Sequence, residues 1–91
     1  ARKYLFMEGK DRLMVHLIRL FEQRQPHPEY LGLKKTRTQL AEEIGFSVKT
    51  LNRSIKHLEE MGLLQVRKGK VVIPREGFYQ MKVHVEHHVN G

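Results

Sequence analysis

RTQLAEEIGFSVKTLNRSIK, residues 37–56, has apolar and small residues where two short helices crossing through a tight turn require them. Leu40 and Ile44 supply the inner face of a first helix, and Ala41 leaves room for a second helix to cross closely. Gly45 permits the turn between them, because glycine reaches backbone conformations closed to other residues. This arrangement predicts a helix-turn-helix.

A β-hairpin is predicted directly after the second helix. Leu63–Leu64 lead into a basic turn, Arg67–Lys70, and the β-branched run Val71–Ile73 follows as a strand that Pro74 closes. Tyr30–Lys35 predicts an additional short strand ahead of the first motif helix. The predicted fold class is therefore α+β, mainly α: a winged helix-turn-helix with a two-stranded β-hairpin wing and that possible extra strand.

Capping residues predict the helix boundaries. Thr36 and Gln39 form a Thr-x-x-Gln capping box at the start of the first motif helix. Ser47 caps the second helix, which we expect to run from Val48 to Met61 and to stop at Gly62. The motif helices are thus delimited by the sequence itself.

A scaffold helix and a short final helix complete the predicted domain. The amphipathic pattern over Asp11–Arg24 predicts the first, and Pro26–Pro28 ends it. Arg75–Lys82 predicts the second, and residues 83–91 are expected to be a flexible tail containing histidines. The domain itself is then expected to span residues 9–82.

The charge of +7 is concentrated on the motif and wing. Residues 34–75 hold ten basic and four acidic residues, and a clustered positive field favours phosphate backbones through counterion release. A basic face that serves solubility alone is the alternative.

The absence of cysteine excludes disulfides, zinc ribbons and iron–sulfur ligation, and suits the cytoplasm. Apolar runs are far shorter than the roughly 20 residues of a membrane span.

The second motif helix divides into two faces. Leu51, Ile55 and Leu58, together with Val48, are expected to point inward at spacings of three and four residues. Side chains rich in hydrogen-bond donors repeat at the same spacing on the other side: Lys49, Asn52, Arg53 and Lys56. A packed face beside a donor-rich face is typical of a helix that lies in a nucleic-acid groove.

Each exposed side chain of that helix suits the edges of DNA bases. Arg53, the first candidate, can fork to O6 and N7 of guanine, Asn52 can bridge N6 and N7 of adenine, and lysine can serve guanine or phosphate. The sequence therefore predicts a domain that reads double-stranded DNA with Lys49, Asn52, Arg53 and Lys56. The residues expected on phosphates are Lys34, Lys35, Arg37, Ser47, Thr50, Arg67, Lys68 and Lys70.

The motifs together resemble the C-terminal DNA-binding domain of the Crp/Fnr superfamily of bacterial transcription regulators. Residues 6–13 are similar to that family's hinge and first helix. The other matching segments are Thr36–Ala41, like its Thr-Arg-x-x-apolar-small entry, Ser47–Arg53, like its Ser-x-x-Thr-apolar-x-Arg segment, and Leu58–Leu64, like its bridge into the wing. The resemblance covers Phe6–Ile73.

The resemblance implies a homodimer on a two-fold symmetric, palindromic operator, with RNA polymerase a further candidate partner. It also implies an effector-sensing β-roll and a dimerisation helix upstream, so that residues 1–8 would be a hinge or the end of that helix. Arg53 matches the family's guanine-contacting arginine, and Ser47 and Thr50 match its phosphate-contacting hydroxyls. Val48–Lys49 replace an Arg-Glu pair whose glutamate accepts from cytosine, so the target sequence should differ. Ser54 occupies a position that is more often apolar.

Three other classes of protein are alternatives to a DNA-binding domain of Crp/Fnr type. A stand-alone repressor of MarR or ArsR type needs flanking dimer helices, for which this chain has little length. A winged helix used for protein–protein contact usually loses the cations that are kept here. His84 and His88 would lie one turn apart in a helix, a spacing that can bind zinc, but no cysteine or suitably placed carboxylate completes a site, so no metal is expected. The sequence contains no nucleophile–base pair and no glycine-rich phosphate loop, so neither an enzyme nor a cofactor site is expected in this segment.

Overall fold

The structure, a computed structural model, describes residues 9–89, with side chains through His87. This part of the chain forms four helices and one three-stranded antiparallel sheet, which confirms the predicted mainly helical winged helix-turn-helix. Residues 1–8, the expected hinge, lie outside the described residues. In chain order the elements are α1 (Gly9–Glu22), β1 (Tyr30–Gly32), α2 (Arg37–Ile44), α3 (Val48–Glu60), β2 (Gln65–Arg67), β3 (Lys70–Pro74) and α4 (Arg75–Val89).

The two motif helices begin at the predicted caps. The Thr36 hydroxyl accepts from the Gln39 N–H at 3.0 Å, and the Gln39 side-chain oxygen accepts from the Thr36 N–H at 2.9 Å. Gly45 turns the chain at φ 87° while its N–H donates to the Ala41 carbonyl. Ser47 then caps α3. The bonds to Thr36 and Ser47 satisfy backbone donors that would otherwise be unpaired at the two helix starts.

The core lies between α1, α3, α4 and the inner face of the sheet. The rings of Phe21 and Phe78 stack at 4.3 Å, and His27 meets both rings edge-on. A buried leucine or phenylalanine stabilises the fold by about 1.5–3 kcal/mol. The buried apolar residues of the three helices are Leu13, Met14, Leu17 and Phe21 of α1, Leu51, Ile55 and Leu58 of α3, and Phe78 and Met81 of α4.

Val48 is the exception to the predicted inner face of α3. Its side chain is 39% exposed, whereas Leu51, Ile55 and Leu58 are buried, so the prediction that Val48 points inward is wrong. Val48 is the first residue of α3, a turn before Leu51, and the core does not extend that far.

Ser54, the position where the chain departs from the family pattern, lies against the start of α1. It is buried, and a Cβ added to Gly9 would lie 2.8 Å from the Ser54 hydroxyl oxygen. The pair of small residues therefore lets α1 approach α3 closely at this crossing.

The sheet has the strand order β1-β3-β2, so the predicted extra strand pairs with the wing. Leu31 lies opposite Ile73 and Val66 opposite Val71 in antiparallel register. Strands β2 and β3 are joined by two residues with positive φ, Lys68 at 51° and Gly69 at 79°. Consecutive positive φ angles are those of a type I′ turn, whose twist matches that of a β-hairpin.

The last helix is longer than the sequence predicts. It begins at Arg75 as expected but continues to Val89, so the predicted end at Lys82 is wrong and residues 83–89 are helical. The apolar side that holds Met81 in the core continues to Val85, which packs against it, and this extends the helix past Lys82. No helix in the described part of the chain is long and apolar enough to cross a membrane.

Gly77 allows α4 to pass the loop that enters the wing, and replacing it should destabilise the fold. A Cβ at Gly77 would overlap the backbone carbonyl of Leu63, which no side-chain rotation can relieve. We expect Gly77→Ala to lower the free energy of unfolding by about 3 kcal/mol or more, measured by urea denaturation.

Gly32→Ala is the matched control for that substitution. Nothing lies within 4 Å of a Cβ at Gly32, so its free energy of unfolding should stay within about 0.5 kcal/mol of the original. Equal unfolding midpoints for the two variants would contradict the steric explanation.

Candidate nucleic-acid interface

The outer side of α3 presents the four predicted base-reading residues together. Lys49, Asn52, Arg53 and Lys56 are all exposed, while the inner residues of the same helix are buried. Within the described residues, none of the four side chains makes a hydrogen bond or an ion pair. Their donors are therefore available to a partner, and their role in reading bases stays a prediction.

The start of α3 holds the two predicted phosphate-binding hydroxyls in one network. The Ser47 oxygen accepts from the Thr50 N–H at 3.1 Å, and its hydrogen is donated to the Thr50 oxygen at 3.0 Å. Ser47 is thus committed to capping. The Thr50 hydroxyl hydrogen has no acceptor in the described part of the chain, so Thr50 is the better donor for an anion at this helix end.

The tip of the wing carries the predicted cations. Arg67, Lys68 and Lys70 are exposed around the turn. The guanidinium of Arg67 lies 5.8 Å from the centre of the Tyr30 ring on β1, a cation–π contact that directs Arg67 across the sheet. Lys68 and Lys70 are left as the outward cations of the tip.

The three cations ahead of and at the start of α2 are in different environments. Lys34 is exposed and, within the described residues, has no ion-pair partner. Lys35 donates to a Glu43 carboxylate oxygen at 2.6 Å, and Arg37 donates to the Gly69 carbonyl at 3.0 Å. The sequence pattern treats all three alike as phosphate contacts, whereas two of them already bond within the protein.

Glu43 links α2 to α1 and to the loop before α2. Its second oxygen lies 2.8 Å from Nε2 of His16, opposite the oxygen bound by Lys35. The hydrogen bond from Lys35, and then that from His16, lower the pKa of the Glu43 carboxyl from its ordinary value of 4.5. A carboxylate here offsets one cation of the basic face and joins three segments.

Arg12 is a functional neighbour that sequence reasoning missed. Its guanidinium donates to the Ile44 carbonyl at 2.7 Å and lies 4.7 Å from the centre of the Phe46 ring. It therefore satisfies a carbonyl at the end of α2 and covers the turn of the motif. A basic residue on the polar side of a scaffold helix gives no sequence signal for this contact.

Two of the histidines of α4 border a groove formed by residues of α4 alone. His84 and His87 line a shallow groove beside Tyr79 and Val83. Among the described residues, no three histidine, cysteine, aspartate or glutamate side chains are grouped so as to hold a metal ion. The side chain of His88 lies outside the described ones.

Within residues 9–89, α2 and α3 cross through a tight turn, α3 carries donors without partners, and a cationic β-hairpin follows. Together these features define a winged helix-turn-helix DNA-binding domain. The family model described as the Crp-like helix-turn-helix domain matches residues 11–77, and the chain belongs to this family. Membership implies DNA binding by a transcription regulator, and domains of this family are typically not enzymes.

A protein of Streptococcus pyogenes serotype M6, named uncharacterized protein Spy1595, is similar to the chain. The two are 31% identical over 70 residues, which is 77% of this chain and 36% of that protein. The similar region thus amounts to about a third of the length of the curated relative.

The Glu43 cluster makes a pH-dependent contribution to stability. Because the folded state lowers the pKa of Glu43 from 4.5, its contribution is present above that pH and is lost as the pH falls through the lower folded value. We expect Glu43→Gln to lower the urea midpoint at pH 7, and its difference from the original protein to shrink as the pH falls below 4.5.

Glu42→Gln removes the neighbouring carboxylate on the same helix and serves as the control. Glu42 is exposed and, in the described part of the chain, makes no ion pair, so its midpoint should follow that of the original protein at each pH. A Glu43→Gln deficit that does not change with pH would argue against the ionic explanation.

Proposed function

We propose that this chain is the DNA-reading domain of a bacterial transcription regulator of Crp/Fnr type. In this proposal α3 enters the major groove of double-stranded DNA and the wing contacts the flanking backbone. The observation that carries the proposal is a row of exposed donors on α3 that have no partner within residues 9–89. Behind this row the same helix is anchored by buried Leu51, Ile55 and Leu58.

The dimensions of α3 support a place in the major groove. An α-helix with its side chains is about 10–12 Å wide, and the major groove is about 12 Å wide. The row Lys49, Asn52, Arg53 and Lys56 covers two turns from the N-terminal end, the part of a recognition helix that contacts bases. Glu59 and Glu60 lie at the other end of α3, away from the phosphates.

Phosphate contacts flank this helix on both sides. Thr50 and Ser47 stand at its N-terminus, where free N–H groups and the helix dipole favour an anion. The cations proposed to contact the phosphates of the DNA backbone are Lys34, Lys35, Arg37, Arg67, Lys68 and Lys70. Those with free ammonium groups in the described structure, Lys34, Lys68 and Lys70, should contribute most to the salt dependence of binding.

The whole regulator would act as a homodimer on a palindromic operator in the cytoplasm. Two copies of α3 about 34 Å apart would then occupy successive major grooves on one side of the duplex. RNA polymerase is a further candidate partner of such a complex. These statements rest on the resemblance to the Crp/Fnr superfamily.

Selection of bound sequences from a random duplex pool with the full-length protein tests the proposal. We expect enrichment of a palindrome whose half-sites are one helical turn apart, about 10 base pairs between centres. Enrichment of other spacings would favour a stand-alone repressor of MarR or ArsR type. A pool without enrichment would favour a protein–protein interaction module.

Arg53→Ala should remove recognition at one base pair. A bidentate arginine–guanine contact discriminates against the wrong base, so we expect a loss of about 1–3 kcal/mol on the selected sequence and relaxed preference at a single position. Fluorescence anisotropy with the selected duplex and its single-base variants measures both. An equal loss on selected and random DNA would remove Arg53 from the base-reading role.

Lys68→Ala should weaken binding to every sequence similarly. The wing tip contacts phosphate in this proposal, so the slope of log affinity against log salt should fall by about one unit. Lys82→Ala is the control, because Lys82 pairs with Glu22 at the far end of α1 and should leave the slope unchanged. A loss confined to the selected sequence would show that Lys68 reads a base instead.

A further inference from the structure

The wing tip is tied to the helix-turn-helix by a single side chain. Arg37, the first residue of α2, donates from Nη2 to the backbone carbonyl oxygen of Gly69 at 3.0 Å. The two residues are 32 positions apart in the sequence, so this bond closes a long loop of chain. Arg37 is half-buried, unlike Lys34 and Lys35 beside it.

The carbonyl that accepts this bond belongs to the turn itself. Lys68 and Gly69 both have positive φ and form the two central residues of the turn. In such a turn the hairpin's own bonds join Arg67 and Lys70, which leaves the Gly69 carbonyl pointing out of the ladder. The guanidinium of Arg37 donates to this carbonyl, and a hydrogen bond from a charged donor is stronger than one between neutral groups.

Apart from the cation–π contact of Arg67 with Tyr30, the tip has little other support from the rest of the domain. Strand β1 pairs with β3 only from Val72 to Pro74, and the Leu33 N–H reaches Val71, so β1 stops short of the turn. A cleft of about 280 Å³ lies between the tip and α2, bordered by Leu40 and Arg37. In the described part of the chain, no other hydrogen bond from outside the hairpin reaches residues 67–70.

We propose that Arg37 is a positioning residue that sets the wing tip at a fixed place relative to α3. Its backbone is ordered by the Thr36–Gln39 capping box, and α2 is packed against α3 through the Gly45 turn. Arg37 thereby fixes the position of the tip relative to the recognition helix. This inference rests on the proposed function and gives Arg37 a role different from that of a phosphate contact.

Arg37 and Lys68 should then both act on DNA binding through one contact, that of Lys68 with the DNA backbone. If Arg37 holds the wing, then removing it displaces Lys68 from the backbone, and removing Lys68 as well changes little more. If Arg37 bound phosphate by itself, the two losses would add, as they do for independent sites. Lys34, exposed and without an ion pair in the described residues, provides the independent comparison.

A double-mutant cycle on the selected duplex tests this. We expect Arg37→Ala and Lys68→Ala to weaken binding by about fivefold or more each, and the double variant to be within about twofold of the weaker single variant. Lys34→Ala combined with Lys68→Ala should instead multiply the two separate losses. A multiplicative Arg37–Lys68 cycle would overturn the proposal.

Amide hydrogen exchange of the free domain supplies a reading that does not depend on DNA. Arg37→Ala should speed exchange by about tenfold or more at Arg67 and Lys70, the last pair of the hairpin ladder, since local opening becomes easier. Exchange at Ile55 in the core should not change, and this internal reference separates wing release from unfolding. Lys34→Ala should leave the wing amides unaltered.

The two measurements separate the two proposals. Unchanged exchange at the wing tip in Arg37→Ala would overturn the positioning role, whether or not DNA is bound. A wild-type protein that selects no DNA sequence would overturn the proposed function, while the exchange result still decides what Arg37 does to the wing.

Discussion

The fold depends on the burial of one side of α3 against α1. Leu51, Ile55 and Leu58 are almost wholly removed from solvent, and burying three such side chains contributes about 5–9 kcal/mol before conformational entropy is subtracted. Because the spacing of these residues leaves the opposite side of the same helix free of packing, the core that stabilises the domain also orients its donors. The predicted base-reading row therefore needs no other element to present it, and α4 and the inner face of the sheet complete the core around α3.

Several of the charged side chains on the basic face bond to other parts of the protein. Glu43 engages Lys35 and His16, Arg12 covers the turn of the motif beside Phe46, and Arg37 bonds to the wing. Part of the positive charge thus holds elements of the domain together, while Lys34, Lys68 and Lys70 have no ion pair among the described residues. A count of basic residues in a sequence overstates the number available to phosphate for this reason.

Much of the fold could be predicted from the sequence because its determinants are local. The Thr36 capping box, the Ser47 cap and the Gly45 turn each involve residues within a few positions of one another. The bond from Arg37 to Gly69 joins distant positions, and no local pattern indicates it. Val48 and the long α4 were predicted wrongly because the limits of a core, and the face of a helix that reaches it, depend on tertiary packing.

Lys68 stands in a backbone conformation that most side chains avoid, with φ at 51°. A non-glycine residue in the left-handed region is strained by about 1–2 kcal/mol, which glycine would relieve at the expense of the positive charge. The most relaxed hairpin and the most cationic hairpin are therefore incompatible at this position. A designer who replaced Lys68 with glycine to make the domain more heat-resistant would relax this turn and would also remove one positive charge from it.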